Sequence, residues 1–182
     1  FKPDSPVTRG QTAKILVGWK KVTPKPSPDV AFRDLDATYF QYVETAAVQG
    51  WMHGYPDGSF KPYSSLTREQ MAIVIVRSLG KETEAKALAA AQVDSCLGAF
   101  SDRGSISSSA RPYVAFAVNW GLFSGDNSGR LNPLSPITRA QFCLVLHRAD
   151  QTASLTANRA ALAAFMDTYL FKPRNSPITG EM

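Results

Sequence analysis

Phe60-Lys61-Pro62-Tyr63-Ser64-Ser65-Leu66-Thr67-Arg68-Glu69-Gln70 is the stretch that decides how this chain folds, because it occurs three times. Upstream it stands as Phe1-Lys2-Pro3-Asp4-Ser5-Pro6-Val7-Thr8-Arg9-Gly10-Gln11, and downstream as Leu131-Asn132-Pro133-Leu134-Ser135-Pro136-Ile137-Thr138-Arg139-Ala140-Gln141. The copies are 59 and 71 residues apart, and each runs into an apolar segment of helical period. Self-similarity of this kind marks a repeat architecture, in which one unit cannot bury its apolar face alone and neighbours must pack together.

In each copy a threonine precedes the apolar segment and a glutamine follows three residues later. That is a capping box: the hydroxyl accepts from the N3 amide while the glutamine side chain reaches back to the N-cap amide. Helices are therefore predicted to start at Thr8, Thr67 and Thr138. Their apolar stripes are Thr12/Ile15/Leu16/Trp19, Met71/Val74/Ile75/Ser78 and Phe142/Val145/Leu146/Ala149, spaced i, i+3, i+4, i+7.

Further upstream, Phe32-Arg33-Asp34 with Ala47-Val48-Gln49-Gly50-Trp51-Met52-His53-Gly54-Tyr55 parallels Phe100-Ser101-Asp102 with Ala117-Val118-Asn119-Trp120-Gly121-Leu122-Phe123-Ser124-Gly125-Asp126. Helices are predicted over 39–49 and 112–120, the second with Pro112 in its first turn. Tyr55-Pro56-Asp57-Gly58-Ser59 and Asp126-Asn127-Ser128-Gly129 read as turns. The organisation expected is residues 1–31 as the second half of unit one plus a Pro-rich linker, 32–99 as unit two plus a helical linker, and 100–150 as unit three. Residues 151–182 read as a C-terminal helix with a degenerate copy at Phe171-Lys172-Pro173 and Pro177-Ile178-Thr179, or the link to a further domain. Unit one opens in mid-unit at Phe1, and the chain is expected to continue past Met182.

Of 182 residues 44% are apolar and 19% charged, with 12 Gly and 12 Pro, which excludes a disordered or collagen-like chain. Apolar runs such as Met71 to Val76 are far short of the roughly 20 residues of a spanning helix, so no membrane insertion is expected. The net charge of +5 is scattered rather than gathered in a basic arm, and aromatic-plus-basic interleaving is missing, which argues against nucleic acid. His53 and His147 have no nucleophile motif or His-Glu-x-x-His spacing beside them, so no enzyme is expected. Asp57 and Asp126 read as turn formers, since a calcium loop needs several alternating carboxylates and a closing Glu. Cys96 and Cys143 have no zinc-like partners; either both are buried free thiols or they form one disulfide, with Cys143 aligned on the small residues Ala13 and Ala72. No cofactor is implied.

The sharpest chemical signal is an arginine at the first helical position of all three copies: Arg9, Arg68 and Arg139. A cation there faces the positive end of the helix macrodipole, which costs roughly 0.3–1 kcal/mol at an exposed site. Two readings follow. Either the arginine and the helix amides together form an anion site for a carboxylate or phosphate, or each arginine pairs with a carboxylate such as Asp34 or Asp102 across the unit boundary.

Thr-Arg-x-Gln after Phe-x-Pro, with Phe-x-Asp upstream and Gly-Tyr-Pro-Asp-Gly-Ser-Phe between, resembles the S-layer homology family, whose units carry a Thr-Arg-Ala-Glu motif. The resemblance covers about residues 1–150 and implies an all-α, pseudo-threefold bundle of three helix-turn-helix units on a bacterial surface. It implies a non-catalytic anchor whose inter-unit grooves bind an anionic, often pyruvylated, secondary cell-wall polymer and so hold an exported protein, fused to the module, on the envelope. Position by position, the ligand-binding set it implies is Arg9, Arg68, Arg139, Asp34, Asp102, Tyr39, Gly54 and Gly125. The family's glutamate is glutamine at Gln11, Gln70 and Gln141, which keeps the cap and removes a charge. Its early aromatic falls on Tyr39 in unit two but near Ser109 in unit three, so unequal grooves are expected. The alternatives are an architectural or adhesin segment whose arginines are structural ion-pair partners, and the anchor of a cell-wall enzyme.

Overall fold

The computed structural model describes residues 2–25 and 32–169, with side chains described as far as residue 154. Among the described residues the helices are α1 Arg9–Trp19, α2 Phe40–Val48, α3 Arg68–Ser78, α4 Glu82–Lys86, α5 Ala90–Leu97, α6 Arg111–Asn119 and α7 Arg139–Tyr169, with a 3-10 turn at Arg103–Ser105. Among the described residues there is no strand, only isolated bridges, so the fold is all-α. Phe1–Ala149 forms one compact unit and Asp150–Met182 a second, in which the described residues are helical. The degenerate copy at 171–182 lies outside the described residues.

All three capping boxes form. Thr8, Thr67 and Thr138 accept from the amides of Gln11, Gln70 and Gln141 at 3.3 Å, and each glutamine accepts from its threonine amide at 3.1 Å. Immediately before the caps, the chains meet in a closed triangle. Val7 N–H donates to Ile137 O (3.0 Å), Ile137 N–H to Leu66 O (2.9 Å), and Leu66 N–H to Val7 O (2.9 Å). Isolated bridges Pro6–Thr138, Thr8–Ser65 and Thr67–Pro136 flank it. Val7, Leu66 and Ile137 are buried here, so the pseudo-threefold relation is fixed by backbone bonds around three apolar side chains.

The Pro-x-Ser part of each motif caps the neighbouring helix. Arg9 and Gly10 amides donate to Ser64 O (2.9 Å) and Pro62 O (2.8 Å); Arg68 and Glu69 to Ser135 O and Pro133 O (both 2.9 Å); Arg139 and Ala140 to Ser5 O (2.9 Å) and Pro3 O (3.0 Å). Each helix thus spends its first-turn amides on carbonyls of the next unit, in cyclic order.

Helix α2 packs on α1, and α6 packs on α3. The two contacts are built differently. At Gly10 a Cβ would come within 2.8 Å of the Tyr39 ring, so glycine admits that aromatic. In the next unit Glu69 stands in the place of Gly10 and accepts from Ser107 N–H (2.9 Å) and Oγ (2.7 Å), while buried Ala110 occupies the N-cap position held by Tyr39 in α2. The residue matching Tyr39 is therefore Ala110, one position beyond the Ser109 expected.

Two expectations are corrected here. Ile15 of the predicted stripe is exposed, and Cys143, expected in a small buried site, is exposed too, with Cys96 half-buried and both thiols free. The cause is common to both. Ala13 and Ala72, the counterparts of Cys143, are covered because α1 carries α2 and α3 carries α6, and among the described residues no such helix lies on α7 over Cys143. Helix α7 also outruns its counterparts. The chain turns left-handed at Lys21 (φ 54°) after α1 and at Gly80 (φ 69°) after α3, whereas Gln151 at the matching position stays helical.

Candidate functional site

The Phe-x-Asp motif supports the wall of two grooves, those between units one and two and between units two and three. The Asp34 carboxylate accepts from the amides of Phe60 (2.8 Å) and Lys61 (2.7 Å), and Asp102 from those of Leu131 (2.9 Å) and Asn132 (2.7 Å). Lys61 (φ 58°) and Asn132 (φ 52°) are left-handed, which costs a non-glycine residue roughly 1–2 kcal/mol, and the carboxylate offsets this by gathering both amides. The phenylalanine of the motif lies against glycine: a Cβ at Gly54 would approach the Phe32 ring to 2.2 Å, and one at Gly125 the Phe100 ring to 2.8 Å.

The motif arginines complete the clasp from the neighbouring unit. Arg9 Nε donates to Phe60 O (2.8 Å) and Nη2 to His53 O (2.7 Å); Arg68 Nε donates to Leu131 O (2.7 Å) and Nη2 to Ser124 O (3.1 Å). The peptide group whose carbonyl takes Arg9 is the one whose N–H is held by Asp34, and Arg68 and Asp102 grip the peptide between Leu131 and Asn132 in the same way. Each arginine and aspartate therefore pull on opposite ends of one peptide instead of touching. Burial pushes both guanidinium pKa values down, opposed for Arg9 by Tyr55 and Asp34 and for Arg68 by Asp102 and Asp126. Aromatic faces lie beneath: Phe60 and Tyr55 under Arg9 at 4.5 and 4.9 Å, Phe123 under Arg68 at 5.5 Å.

Three cavities follow the pseudo-threefold order. Between units one and two a space of about 110 Å³ is lined by Arg9, Met52, His53, Gln70, Ile73, Val74 and Arg77. Between units two and three a space of about 420 Å³ has the matching residues Arg68, Phe123, Ser124, Gln141, Leu144, Val145 and Arg148 on its walls, with Gly125 and Asp126. Between units three and one a space of about 650 Å³ is mostly apolar, with Val7, Ile15, Trp19 and Phe142 beside Lys14 and Arg139.

The sequence-predicted residues divide accordingly. Each arginine lines its own groove, but they differ in exposure: Arg9 is buried (7% exposed), Arg68 is half-buried and Arg139 is exposed. Gly125 lines the second groove. Asp34, Asp102 and Gly54 stand behind the walls as backbone supports, and Tyr39 is buried against Gly10 and the Tyr63 ring (5.5 Å between centroids). The helix amides that the anion reading included are taken by carbonyls, so the cationic character of the grooves comes from guanidinium groups.

Sequence reading missed Arg77 and Arg148, each nine residues after a motif arginine, a repeat hidden because Gly18 holds that place in unit one. Arg148 Nη1 lies 3.4 Å from both Leu122 O and Ser124 Oγ, reaching across the groove toward the turn of unit three. At the rim Asp126 accepts from Ser128 and Arg130 amides and from Asn132 Nδ2, bonds that hold its carboxyl below the usual range. His53 at the first groove is pushed down by burial and by Arg77. Among the described residues no cluster of potential metal ligands occurs, and no helix is long and apolar enough to cross a membrane.

A ring of helix-turn-helix units clasped through arginine, peptide and aspartate, with grooves at the joints, defines a repeat-built binding module. Residues 31–72 and 99–143 match the S-layer homology domain, and the chain carries domains of that family. It is 27% identical over 161 residues to the surface-layer 125 kDa protein of Lysinibacillus sphaericus, covering 86% of this chain and 13% of that protein. It is 32% identical over 84 residues to a cellulosome-anchoring protein of Acetivibrio thermocellus, covering 43% of this chain and 19% of that one. An endoglucanase of a Bacillus species is 29% identical over 146 residues, 80% of this chain and 15% of the enzyme. The chain spans less than a fifth of each of these relatives. The module is a cell-surface, extracellular one of the anchoring kind.

Proposed function

We propose that this module holds a larger exported protein on the bacterial envelope by binding an anionic cell-wall glycan in its inter-unit grooves, without catalysis of its own. The observation that carries the reading is the groove between units two and three, where Arg68 and Arg148 both face a space of about 420 Å³. Two guanidinium forks over one cavity suit a carboxylate or phosphate substituent, each charge-assisted bond being worth about 1.5–3 kcal/mol. Asp126 at the rim offers an acceptor to sugar hydroxyls. A pyruvylated secondary cell-wall polymer has the required carboxylate. Attachment to a further domain is supported by the much greater length of the relatives.

A second, structural reading fits Arg9, whose guanidinium is buried and shared between two carbonyls, so that groove one to two owes less of its arginine to a ligand. Co-sedimentation with purified sacculi, before and after extraction of the secondary polymer, tests the proposal. Retention by intact sacculi and its loss after extraction is expected; equal retention by extracted sacculi would exclude the polymer as the target.

A further inference from the structure

The grooves at the two joints of like construction differ almost fourfold in volume, about 110 against 420 Å³, although their arginines correspond one to one. The second arginine of each groove is also held differently. Arg148 is directed across its groove toward Leu122 O and Ser124 Oγ, at 3.4 Å from each. Arg77, at the same helical position, also lines its groove, but its guanidinium ends on a carboxylate and a phenol. Its Nε lies 3.2 Å from Glu82 Oε1, its Nη2 is 3.5 Å from Tyr113 Oη, and its guanidinium stacks over the Tyr113 ring at 5.5 Å.

Glu82 is unusually well placed to hold it. The same oxygen accepts from Tyr113 Oη at 2.5 Å and pairs with Lys86 at 2.8 Å. Glu82 opens α4, a helix that unit two has only because Gly80 turns the chain left-handed after α3. At the corresponding point in unit three, α7 runs on, and Ala153 stands where Glu82 would be. The carboxylate on Arg77 thus has no counterpart beside Arg148, while Tyr113 is matched by Tyr42 in α2, where Gly18 leaves no arginine to hold.

We propose that Glu82, with Tyr113, acts as a latch that keeps the guanidinium of Arg77, on the wall of the groove between units one and two, occupied by a carboxylate, so that the module offers one two-arginine anion site and keeps a second in reserve. The inference rests on the reading of the grooves as anion sites, and Glu82 is a positioning residue in it, touching no ligand. A ligand entering that groove must compete with an intramolecular carboxylate already in contact with Arg77, and competition at contact distance weakens the site directly. With the carboxylate neutralised, Arg77 is released to reach toward the unit-two turn as Arg148 does in its own groove.

The test is a titration with inorganic phosphate, followed through the side-chain Nε–Hε signals of Arg9, Arg68, Arg77 and Arg148 by NMR. In the parent chain the Arg68 and Arg148 signals should move together while Arg77 stays still. In Glu82→Gln, and more fully in Glu82→Ala, Arg77 should move with a dissociation constant at least tenfold lower than any parent response at that signal, and Arg77→Ala added to Glu82→Ala should abolish the movement of Arg9. The helical circular dichroism of each variant separates loss of fold from loss of binding. Movement of Arg77 in the parent equal to that in Glu82→Ala, or none in either variant, would overturn the latch. If Arg68 and Arg148 fail to move in the parent, the reading of the grooves fails at its open site, while the contrast at Arg77 between parent and Glu82→Ala still decides the latch.

Discussion

Gly54 and Phe32 make the tightest contact in the groove wall, with a hypothetical Cβ 2.2 Å from the ring and 2.8 Å from Ser59 O. Gly54→Ala must displace one of them, and we expect a loss of about 1–3 kcal/mol in urea unfolding, larger than for Gly125→Ala, whose nearest ring atom is 2.8 Å away. The arginines should separate in the same measurement. Arg9→Ala strips donors from two carbonyls at a buried position and should cost about 2–4 kcal/mol. Arg139→Ala, at an exposed one, should cost less than about 1 kcal/mol. The aspartates illustrate why roles at this scale are hard to read from sequence. Phe-x-Asp and Thr-Arg stand 34 residues apart from Asp34 to Arg68, yet Asp34 works with Arg9 and Asp102 with Arg68, because each clasp is closed by the preceding unit's helix. An anion partner and a carboxylate partner were both reasonable for an arginine at a helix start; the intervening peptide is a third solution that only tertiary structure reveals.

Helix starts, by contrast, were legible, because a capping box is local chemistry contained in four residues. Thr67→Ala should destabilise by about 1 kcal/mol without changing the helical content of the folded state. Helix ends were less legible: Lys21 takes a left-handed conformation that glycine would supply more cheaply, and nothing in the apolar stripe of unit three announces that α7 continues to Tyr169. Helix α4 brings an acid-sensitive element. The bonds from Lys86 and Tyr113, with the charge of Arg77, hold the Glu82 carboxyl at about 2, below its ordinary 4.5. Its contribution is therefore complete above about pH 4.5 and is lost as the pH falls through 2. Solvent screens this partly exposed group, so the effect should be about 1 kcal/mol, seen as a shallower acid limb in the unfolding free energy of Glu82→Gln.

At the level of the whole molecule, the bundle is a cyclic chain of hand-offs: the Pro-x-Ser loop of one unit caps the helix of the preceding one, and the triangle of Val7, Leu66 and Ile137 closes the ring. Three repeats in the sequence made the threefold relation visible, since no unit can satisfy its own helix start. The inequality of the grooves was visible only in outline. It arises from single replacements off the motif, such as Gly18, Arg77 and Arg148 at one position, or Tyr39 and Ala110 at another, which periodicity treats as interchangeable. Of the three joints, the one between units two and three has two arginines on an open space of about 420 Å³, against about 110 Å³ at the first joint, and it bears the functional claim. The most direct measurement is the affinity for purified sacculi of Arg68→Ala, Arg148→Ala and their combination, with folding followed by circular dichroism. Each single variant should bind roughly 10- to 150-fold more weakly, the loss of one charge-assisted bond of about 1.5–3 kcal/mol, and the double variant should not be retained. A folded double variant held as tightly as the parent would contradict the groove assignment and leave these arginines as structural clasps alone.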